Sequence, residues 1–314
     1  MLQPNPQDYD YDLDAAIASV VKVRALVPPD AFTAETLGTE RAGNGVLIRR
    51  DGLVLTIGYL ITEAQTVWVT LAGGRVVQGH VVAFDQETGF GLVQLLARLD
   101  VDVLPMGSSA NARVGDDVVM AGGGGLQHAV AARIIAKQEF AGYWEYVLDE
   151  AIFTAPSHPN WGGTALINAA GELIGIGSLQ IQRSQSGRNL EDANMIVPID
   201  LLKPILDDLT TLGRPNRPAR PWLGLYASEL DGGVAVLGVA AKGPANDARV
   251  QVGDVILDVA GAKVSSLADL FRRVWSLGPA GVEVPLTISR EGRVRALNVH
   301  SGDRRDFLKG PVLH

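Results

Sequence analysis

The sequence contains no cysteine, and its other shortages are equally informative. Without cysteine the chain cannot form disulfides, thiolate metal sites or a cysteine nucleophile. No apolar run reaches the roughly 18 residues of a membrane-spanning helix, because Gly, Pro or a charge interrupts each candidate. A basic excess is also lacking, since 27 Lys and Arg stand against 35 Asp and Glu, for a net charge of −8. Neither a membrane span nor nucleic acid binding is therefore expected.

The first residues of the sequence lack the basic and apolar segments of a secretory signal. We therefore expect a cytoplasmic location, or a periplasmic one if a signal peptide has been removed. Metal motifs such as HExxH are absent as well. Neither a metal nor another cofactor is expected.

What the sequence does contain is a long series of short apolar segments. The chain has 314 residues, of which 47 % are hydrophobic and 20 % charged, enough for two globular domains. Runs rich in Val, Ile and Leu alternate with turn signals such as Asp51-Gly52. More than ten strands over roughly 190 residues are typical of a barrel or a sandwich. One helix is predicted before them, over residues 15–23, and another after Asp200, which is expected to cap it.

A change of composition marks the end of this region. Three prolines alternate with three arginines in residues 214–221, and this pattern predicts a semi-stiff extended linker. The remainder indicates an α+β module with a short helix at 246–249 and a second helix after Ser266. The predicted parts are a flexible arm 1–12, a first domain 13–212, the linker 213–221, a second domain 222–302 and a tail 303–314.

Two stretches of the second module resemble a bacterial PDZ domain. They are WLGL at 222–225 and GPANDARVQVGDVILDVAGAKV at 243–264. The first domain resembles the trypsin-like protease of the HtrA (Deg) family in GNGVLIRRDGLVLT at 43–56, DQETGFGLVQL at 85–95 and PNWGGTALINAAGELIGIGS at 159–178. The resemblance implies a mainly β protein, in which a trypsin-like double β-barrel precedes an α+β PDZ domain.

The catalytic positions of this family carry other residues here. By resemblance, Tyr59 stands at the place of the catalytic histidine, Gly89 at that of the aspartate and Trp161 at that of the serine nucleophile. Pro159 stands where the family donates a backbone N–H to the oxyanion, and proline has none. A phenol with a reference pKa of about 10 is a poor base at neutral pH, and indole has no nucleophilic oxygen.

These departures lead us to expect no catalytic residues and no enzymatic activity, that is, a pseudoprotease. The alternative is an active HtrA-type serine endopeptidase or chaperone with relocated catalytic residues. Ser157, Thr164 and His158 are the nearest candidates for that role. Ser157 and His158 make a poor dyad, because neighbours on an extended chain point to opposite faces.

The PDZ resemblance implies a peptide-binding groove in the second module. Backbone N–H groups of the WLGL loop are expected to bind the C-terminal carboxylate of a peptide, which then adds as a β-strand. The following helix forms the opposite wall, where helical spacing leaves pocket and core positions undistinguished. The expected peptide-binding residues are Leu223, Gly224, Leu225, Leu267, Leu270 and Phe271. We therefore predict a scaffold or regulator that binds C-terminal or unfolded peptide segments of other proteins.

Two further hypotheses concern what the chain contacts. In one, the chain's own residues occlude the groove, with Val312-Leu313 of the tail imitating a ligand. The other concerns assembly: N-terminal aromatic segments hold trimers together in the family. A homotrimer through Tyr9, Tyr11 and Phe32 therefore stays open beside a monomer.

Overall fold

The computed structural model describes residues 2–97, 102–185, 189–230 and 233–310. The chain divides into two compact units. Of the described residues, the first unit comprises the chain up to Gln138, the segment Glu150–Asn216 and Gly310, and the second comprises Glu139–Asp149 and Arg217–Lys309. No helix in these described ranges is long and apolar enough to cross a membrane.

The first unit contains two closed antiparallel barrels. One consists of β1 (Val20–Leu26), β2 (Glu40–Arg49), β3 (Leu53–Ile57), β4 (Thr66–Thr70), β5 (Val76–Phe84) and β6 (Phe90–Leu95), in the order β1-β2-β3-β6-β5-β4. The other consists of β7 (Asp117–Ala121), β8 (Ala129–Gly142), β9 (Tyr146–Ala155), β10 (Ala165–Ile167), β11 (Leu173–Gln185) and β12 (Asn189–Pro198), in the order β10-β11-β12-β9-β8-β7. Alternating apolar side chains fill each barrel, and those of Val21, Leu55 and Ile176 are fully buried. The predicted mainly β architecture is confirmed.

The second unit is built on one antiparallel sheet. Its strands are β13 (Leu225–Leu230), β14 (Gly233–Val239), β15 (Val255–Val259), β16 (Ala262–Lys263), β17 (Glu283–Arg290) and β18 (Arg293–His300). The order is β13-β14-β15-β17-β18, with β16 paired to β15. Within the described residues β13 is therefore an edge strand of this sheet.

The α-helices are short. They are α1 (Leu13–Ala18), α2 (Ala34–Leu37), α3 (Leu206–Leu212), α4 (Pro244–Asp247) and α5 (Leu267–Ser276). The 3₁₀ helices are Pro6–Asp8, Gly58–Leu60, Ser109–Asn111, Leu126–His128, Ile199–Leu201 and Arg304–Phe307. Helix α5 begins after Ser266 as predicted, because the Ser266 hydroxyl accepts the Asp269 N–H at 3.0 Å.

Three helix predictions need correction. The helix predicted over 15–23 ends at Ala18, because the β-branched residues that follow it pair with β2 as strand β1. The helix predicted after Asp200 begins only at α3, since Pro204 lacks the N–H that an unbroken helix needs. Asp200 instead accepts the Ala110 N–H at 2.9 Å. Helix α4 starts two residues before the predicted range 246–249.

The segment Glu139–Asp149, which belongs to the second unit, lies at the end of the β8–β9 hairpin. The sequence predicts a strand from Trp144 onward, whereas β9 begins at Tyr146. Glu145 lies in the turn, with a positive φ of 61°. We call residues 139–149 the hairpin tip.

Candidate functional site

A cleft of about 390 Å³ opens in the first unit. It is lined by residues from β2, from the 3₁₀ helix Gly58–Leu60 and from the loop 158–162. Three of the positions at which the sequence departs from the family, Tyr59, Pro159 and Trp161, line this cleft. The fourth, Gly89, adjoins it, because its carbonyl accepts the Gly58 N–H at 2.7 Å. The structure thus brings the four predicted positions together.

Tyr59 is held by its hydroxyl group. The hydroxyl donates a hydrogen bond to the Ser178 carbonyl at 2.8 Å. Burial raises the pKa of Tyr59 well above its usual range, and a hydrogen bond with the Trp161 side chain opposes this shift only in part. The phenol is therefore protonated at neutral pH and acts here as a donor, not as a base.

Gly89 has a backbone role. Its φ is 82°, which is costly for other residues, and its N–H donates to the Asp85 carbonyl at 2.8 Å. The Asp85 carboxylate accepts the N–H and the hydroxyl of Thr88, at 2.9 and 2.7 Å. The Asp85 carboxylate therefore stabilises the turn itself.

The loop that carries Trp161 is fixed by Asn44. The Asn44 side-chain amide donates to the carbonyls of Asn160 and Gly162, at 2.8 and 3.1 Å. Gly163 approaches so closely that an added Cβ would lie 1.8 Å from the Asn44 carbonyl oxygen. Its φ of 78° likewise favours glycine. The loop conformation thus depends on backbone contacts to β2.

His158 and Thr164, two candidates for a relocated catalytic group, are engaged with backbone atoms. The Nδ1 atom of His158 accepts the Asn160 N–H at 3.1 Å, so its proton is on Nε2, which lies 3.0 Å from the His128 carbonyl. Burial lowers the pKa of His158. The Thr164 hydroxyl donates to the Trp161 carbonyl at 2.8 Å. Neither group has the geometry of a nucleophile and base pair.

The WLGL loop of the second unit binds a carboxylate. The N–H groups of Gly224 and Leu225 donate to Oε1 of Glu145 at 2.7 and 3.0 Å, and the Leu223 N–H donates to Oε2 at 3.0 Å. Glu145 is buried, which raises its pKa to about 7. These backbone bonds and the charge of Arg304 oppose the shift. We call residues 223–225 the carboxylate loop.

Gly224 is required by the conformation of the carboxylate loop. Its φ is 77°, and an added Cβ would lie 3.1 Å from the Ala240 Cβ and 3.2 Å from the Trp222 ring. Both contacts are tighter than ordinary side-chain packing. Glycine therefore allows three successive N–H groups to turn toward one acceptor.

The helical wall contributes apolar core. Leu267, Leu270 and Phe271 are buried, and they belong to the same cluster as Leu223 and Leu225. Helical spacing alone does not show whether these positions line a pocket or belong to the core. In the structure they form core beside the carboxylate loop.

Sequence reasoning missed Glu145. It lies 78 residues before Leu223, in a segment predicted to be a strand. An acidic residue between Trp144 and Tyr146 was the one signal available. One of the chain's own residues contacts the carboxylate loop, as one hypothesis expected, but that residue is Glu145. Val312 and Leu313, which that hypothesis names as the occupant, lie outside the described residues.

Two family models match the chain. Residues 43–176 match the trypsin-like peptidase domain, and residues 221–300 match the PDZ domain. The two matches follow each other in the order that the sequence resemblance implied.

Relatives with assigned names match most of the chain. A serine endoprotease DegS of Haemophilus influenzae is 29 % identical over 275 residues, which cover 84 % of this chain and 78 % of that protein. A probable periplasmic serine endoprotease DegP-like of Pseudomonas fulva is 30 % identical over 278 residues, which cover 83 % of this chain. The matched region is 55 % of that relative, so the chain spans a little over half of its length.

Solved structures share the fold. The serine endoprotease from Yersinia pestis superposes with a TM-score of 0.53 at 24 % identity, covering 92 % of this chain and 95 % of that one. The HtrA-type protease AlgW with decapeptide superposes with a TM-score of 0.54 at 22 % identity, covering 95 % and 98 %.

These comparisons correct one expectation and weaken another. The expectation that the chain is not an enzyme is contradicted, because the relatives that match it are named serine endoproteases. The expected cytoplasmic location has no support, since DegP-like relatives are named periplasmic. The chain thus contains a region that matches a trypsin-like peptidase domain, followed by one that matches a PDZ domain. Over 84 % and 83 % of its length it is similar to serine endoproteases named DegS and DegP-like.

Proposed function

We propose that this chain binds peptide segments of other proteins through its PDZ groove, with the C-terminal carboxylate of the peptide at the carboxylate loop. One observation carries the proposal: the N–H groups of Leu223, Gly224 and Leu225 converge on a single carboxylate. Backbone donors that face one acceptor in this way favour an anion and recognise no particular side chain. A terminal carboxylate meets that requirement.

The rest of the groove suits an extended peptide. Strand β13 follows the carboxylate loop directly and is an edge strand among the described residues, so a peptide can pair with it through main-chain bonds. Leu267, Leu270 and Phe271 of α5 form apolar core beside the carboxylate loop and so support its position. The AlgW structure, which is described with a bound decapeptide, supports the same ligand class.

The test uses a fluorescein-labelled decapeptide that ends in Tyr-Trp-Val with a free carboxylate, and the same decapeptide as its C-terminal amide. We expect the acid to bind at least about tenfold more tightly, because the amide loses the charge-assisted bonds. Gly224→Ala is expected to weaken binding by a similar factor. Gly261→Ala is the matched control, since its φ is 80° but an added Cβ meets nothing within 4 Å. Equal binding of acid and amide would contradict the proposal.

Proteolysis is the second candidate function, and the names of the relatives support it. Tyr59, Gly89 and Trp161 offer neither a base nor a nucleophile, and Pro159 offers no N–H. Endopeptidase activity in this chain therefore needs other groups of the cleft. Ser157 and His158 are the first to test, since His158 lines the cleft and Ser157 precedes it in the chain.

The assay is cleavage of a fluorescently labelled unfolded protein by independently prepared batches. Activity of the chain itself is expected to fall in Ser157→Ala and in His158→Ala, and to change in Trp161→Ala. Cleavage that is identical in all these proteins would point to a contaminating protease and count against this candidate.

Location and assembly are also proposals. The periplasmic names of DegP-like relatives favour a periplasmic location. A homotrimer through Tyr9, Tyr11 and Phe32 stays a prediction, which sedimentation velocity of the intact chain tests. The ring of Tyr11 packs against Gly171 of its own chain, so a change of Tyr9 is the cleaner probe of a subunit contact.

A further inference from the structure

The hairpin tip follows the peptide groove as a bound strand would. The Ala227 N–H of β13 donates to the Tyr143 carbonyl at 3.0 Å. Two positions separate Tyr143 from Glu145, and two separate Ala227 from Leu225, whose N–H binds the Glu145 carboxylate. The tip therefore contacts β13 in strand register, and its Glu145 side chain binds the carboxylate loop.

An apolar side chain of the tip packs into the core beside the carboxylate loop. Val147 is 8 % exposed and belongs to the cluster formed by Leu223, Leu267 and Phe271. The Tyr143 ring lies 6.1 Å from the Tyr226 ring, centroid to centroid. The tip thus combines a buried acid, a main-chain bond and a buried aliphatic side chain, the three contacts of a peptide that adds to a sheet edge.

The tip is also tied to the helical wall. Arg272 on α5 pairs with Glu139 and with Asp149, which are the first and last residues of the tip. All three side chains are substantially exposed, so each pair contributes little by itself. Their position nevertheless joins the two ends of the tip to one point on α5.

We infer that the hairpin tip is an internal ligand of the PDZ groove, with Glu145 in the place of a peptide carboxylate, and that a peptide must displace it to bind. This inference rests on the proposed peptide-binding function and adds its regulation. The free chain is then closed to peptides until a ligand competes successfully. Any change that weakens the tip raises the apparent affinity for peptide, because it increases the fraction of open grooves.

The energetics of Glu145 suit exchange. Its carboxylate has lost its water, and the rise of its pKa to about 7 reflects this cost. The groups that face it are the backbone N–H groups of the carboxylate loop and the guanidinium of Arg304. A displaced Glu145 regains its hydration, whereas the entering carboxylate takes over the same donors. Exchange thus leaves none of these buried donors without an acceptor.

The experiment compares the intact chain with three variants, using the decapeptide acid as the probe. Glu145→Ala removes the internal carboxylate, and Arg272→Ala loosens the tip without touching the carboxylate loop. Glu150→Gln is the control, because Glu150 follows the tip directly and pairs with Lys137 in the first unit. Hydrogen exchange of the Leu223, Gly224 and Leu225 amides is measured on the same proteins without peptide.

We expect Glu145→Ala to bind the probe at least about tenfold more tightly than the intact chain, and Arg272→Ala about two- to fivefold more tightly. The three amides should exchange faster in Glu145→Ala than in the intact chain. Glu150→Gln should match the intact chain in both measurements.

Two results overturn the inference and leave peptide binding intact. One is equal or weaker probe binding by Glu145→Ala and by Arg272→Ala. The other is exchange of the three amides in the intact chain that is as fast as in Glu145→Ala. If Glu145→Ala does not fold, Arg272→Ala decides by itself. Failure of all four proteins to bind the probe overturns the proposed function, and the competition with it.

Discussion

The barrel cleft and the carboxylate loop both contain a polar side chain that pairs with the chain's own backbone. In the cleft, the Tyr59 hydroxyl donates to the Ser178 carbonyl. In the loop, three N–H groups donate to the Glu145 carboxylate. Burial of a neutral phenol in such a bond costs little free energy. Burial of a carboxylate carries a desolvation cost, and another carboxylate can replace it on the same donors. The same kind of pairing therefore fixes the cleft and leaves the loop exchangeable.

The largest effect is expected at the backbone of the cleft. Gly163→Ala places a Cβ 1.8 Å from the Asn44 carbonyl oxygen, at a φ of 78°. Both the clash and the strain act at Gly163, which is buried against the backbone of β2, so we expect a loss of about 4 kcal/mol in the free energy of unfolding. Chemical denaturation measures this loss.

Gly73→Ala provides the control for that measurement. Its φ of 82° is nearly the same, but an added Cβ meets nothing within 4 Å. Strain alone is expected to cost about 1 kcal/mol there. Equal losses in the two variants would mean that the loop around Trp161 is not fixed by β2, and the contrast between a rigid cleft and an exchangeable loop would fail.

The second prediction concerns pH and the carboxylate loop. The folded pKa of Glu145, about 7, lies above its reference value of 4.5. A carboxyl group with a raised pKa stabilises the fold fully below its unfolded pKa, and this contribution is lost as the pH rises through the folded value. The intact chain should therefore lose about 3 kcal/mol relative to Glu145→Gln between pH 4.5 and pH 8.

Unfolding measured at several pH values on both proteins checks this difference. The comparison with Glu145→Gln cancels the titration of the histidines, which both proteins share. Parallel pH profiles would show that Glu145 is solvated in the folded chain, which would also remove the contrast with Tyr59.

Much of the architecture can be predicted from the sequence, because short apolar runs between turn residues form β-strands in few other arrangements than barrels and sandwiches. The strands of both barrels and the start of α5 at Ser266 are of this kind. The prediction of a helix over 15–23 was wrong beyond Ala18, because local periodicity contains no information about the pairing of β1 with β2. Pro204 and Asp200 made a plausible helix start, but Asp200 has a distant partner in Ala110.

The candidate sites divide in the same way. Tyr59, Gly89, Pro159 and Trp161 could be located from motif spacing, and the structure brings them together around one cleft. Glu145 could not, because its role arises from a contact between residues 78 positions apart in the chain. The WLGL motif identifies the N–H donors of the carboxylate loop. Their acceptor, Glu145, depends on where the turn of the β8–β9 hairpin lies, which no motif records.

The smallest effect is expected from the Tyr59 hydroxyl itself. Tyr59→Phe keeps the ring and leaves the Ser178 carbonyl without its donor, which should cost about 1–2 kcal/mol in the free energy of unfolding. Tyr143→Phe, which removes a hydroxyl from a ring that is 48 % exposed, should stay within about 0.5 kcal/mol of the intact chain. A neutral result for Tyr59→Phe would indicate that water reaches the Ser178 carbonyl. The cleft would then be as open to exchange as the carboxylate loop, because solvent could replace its internal partner.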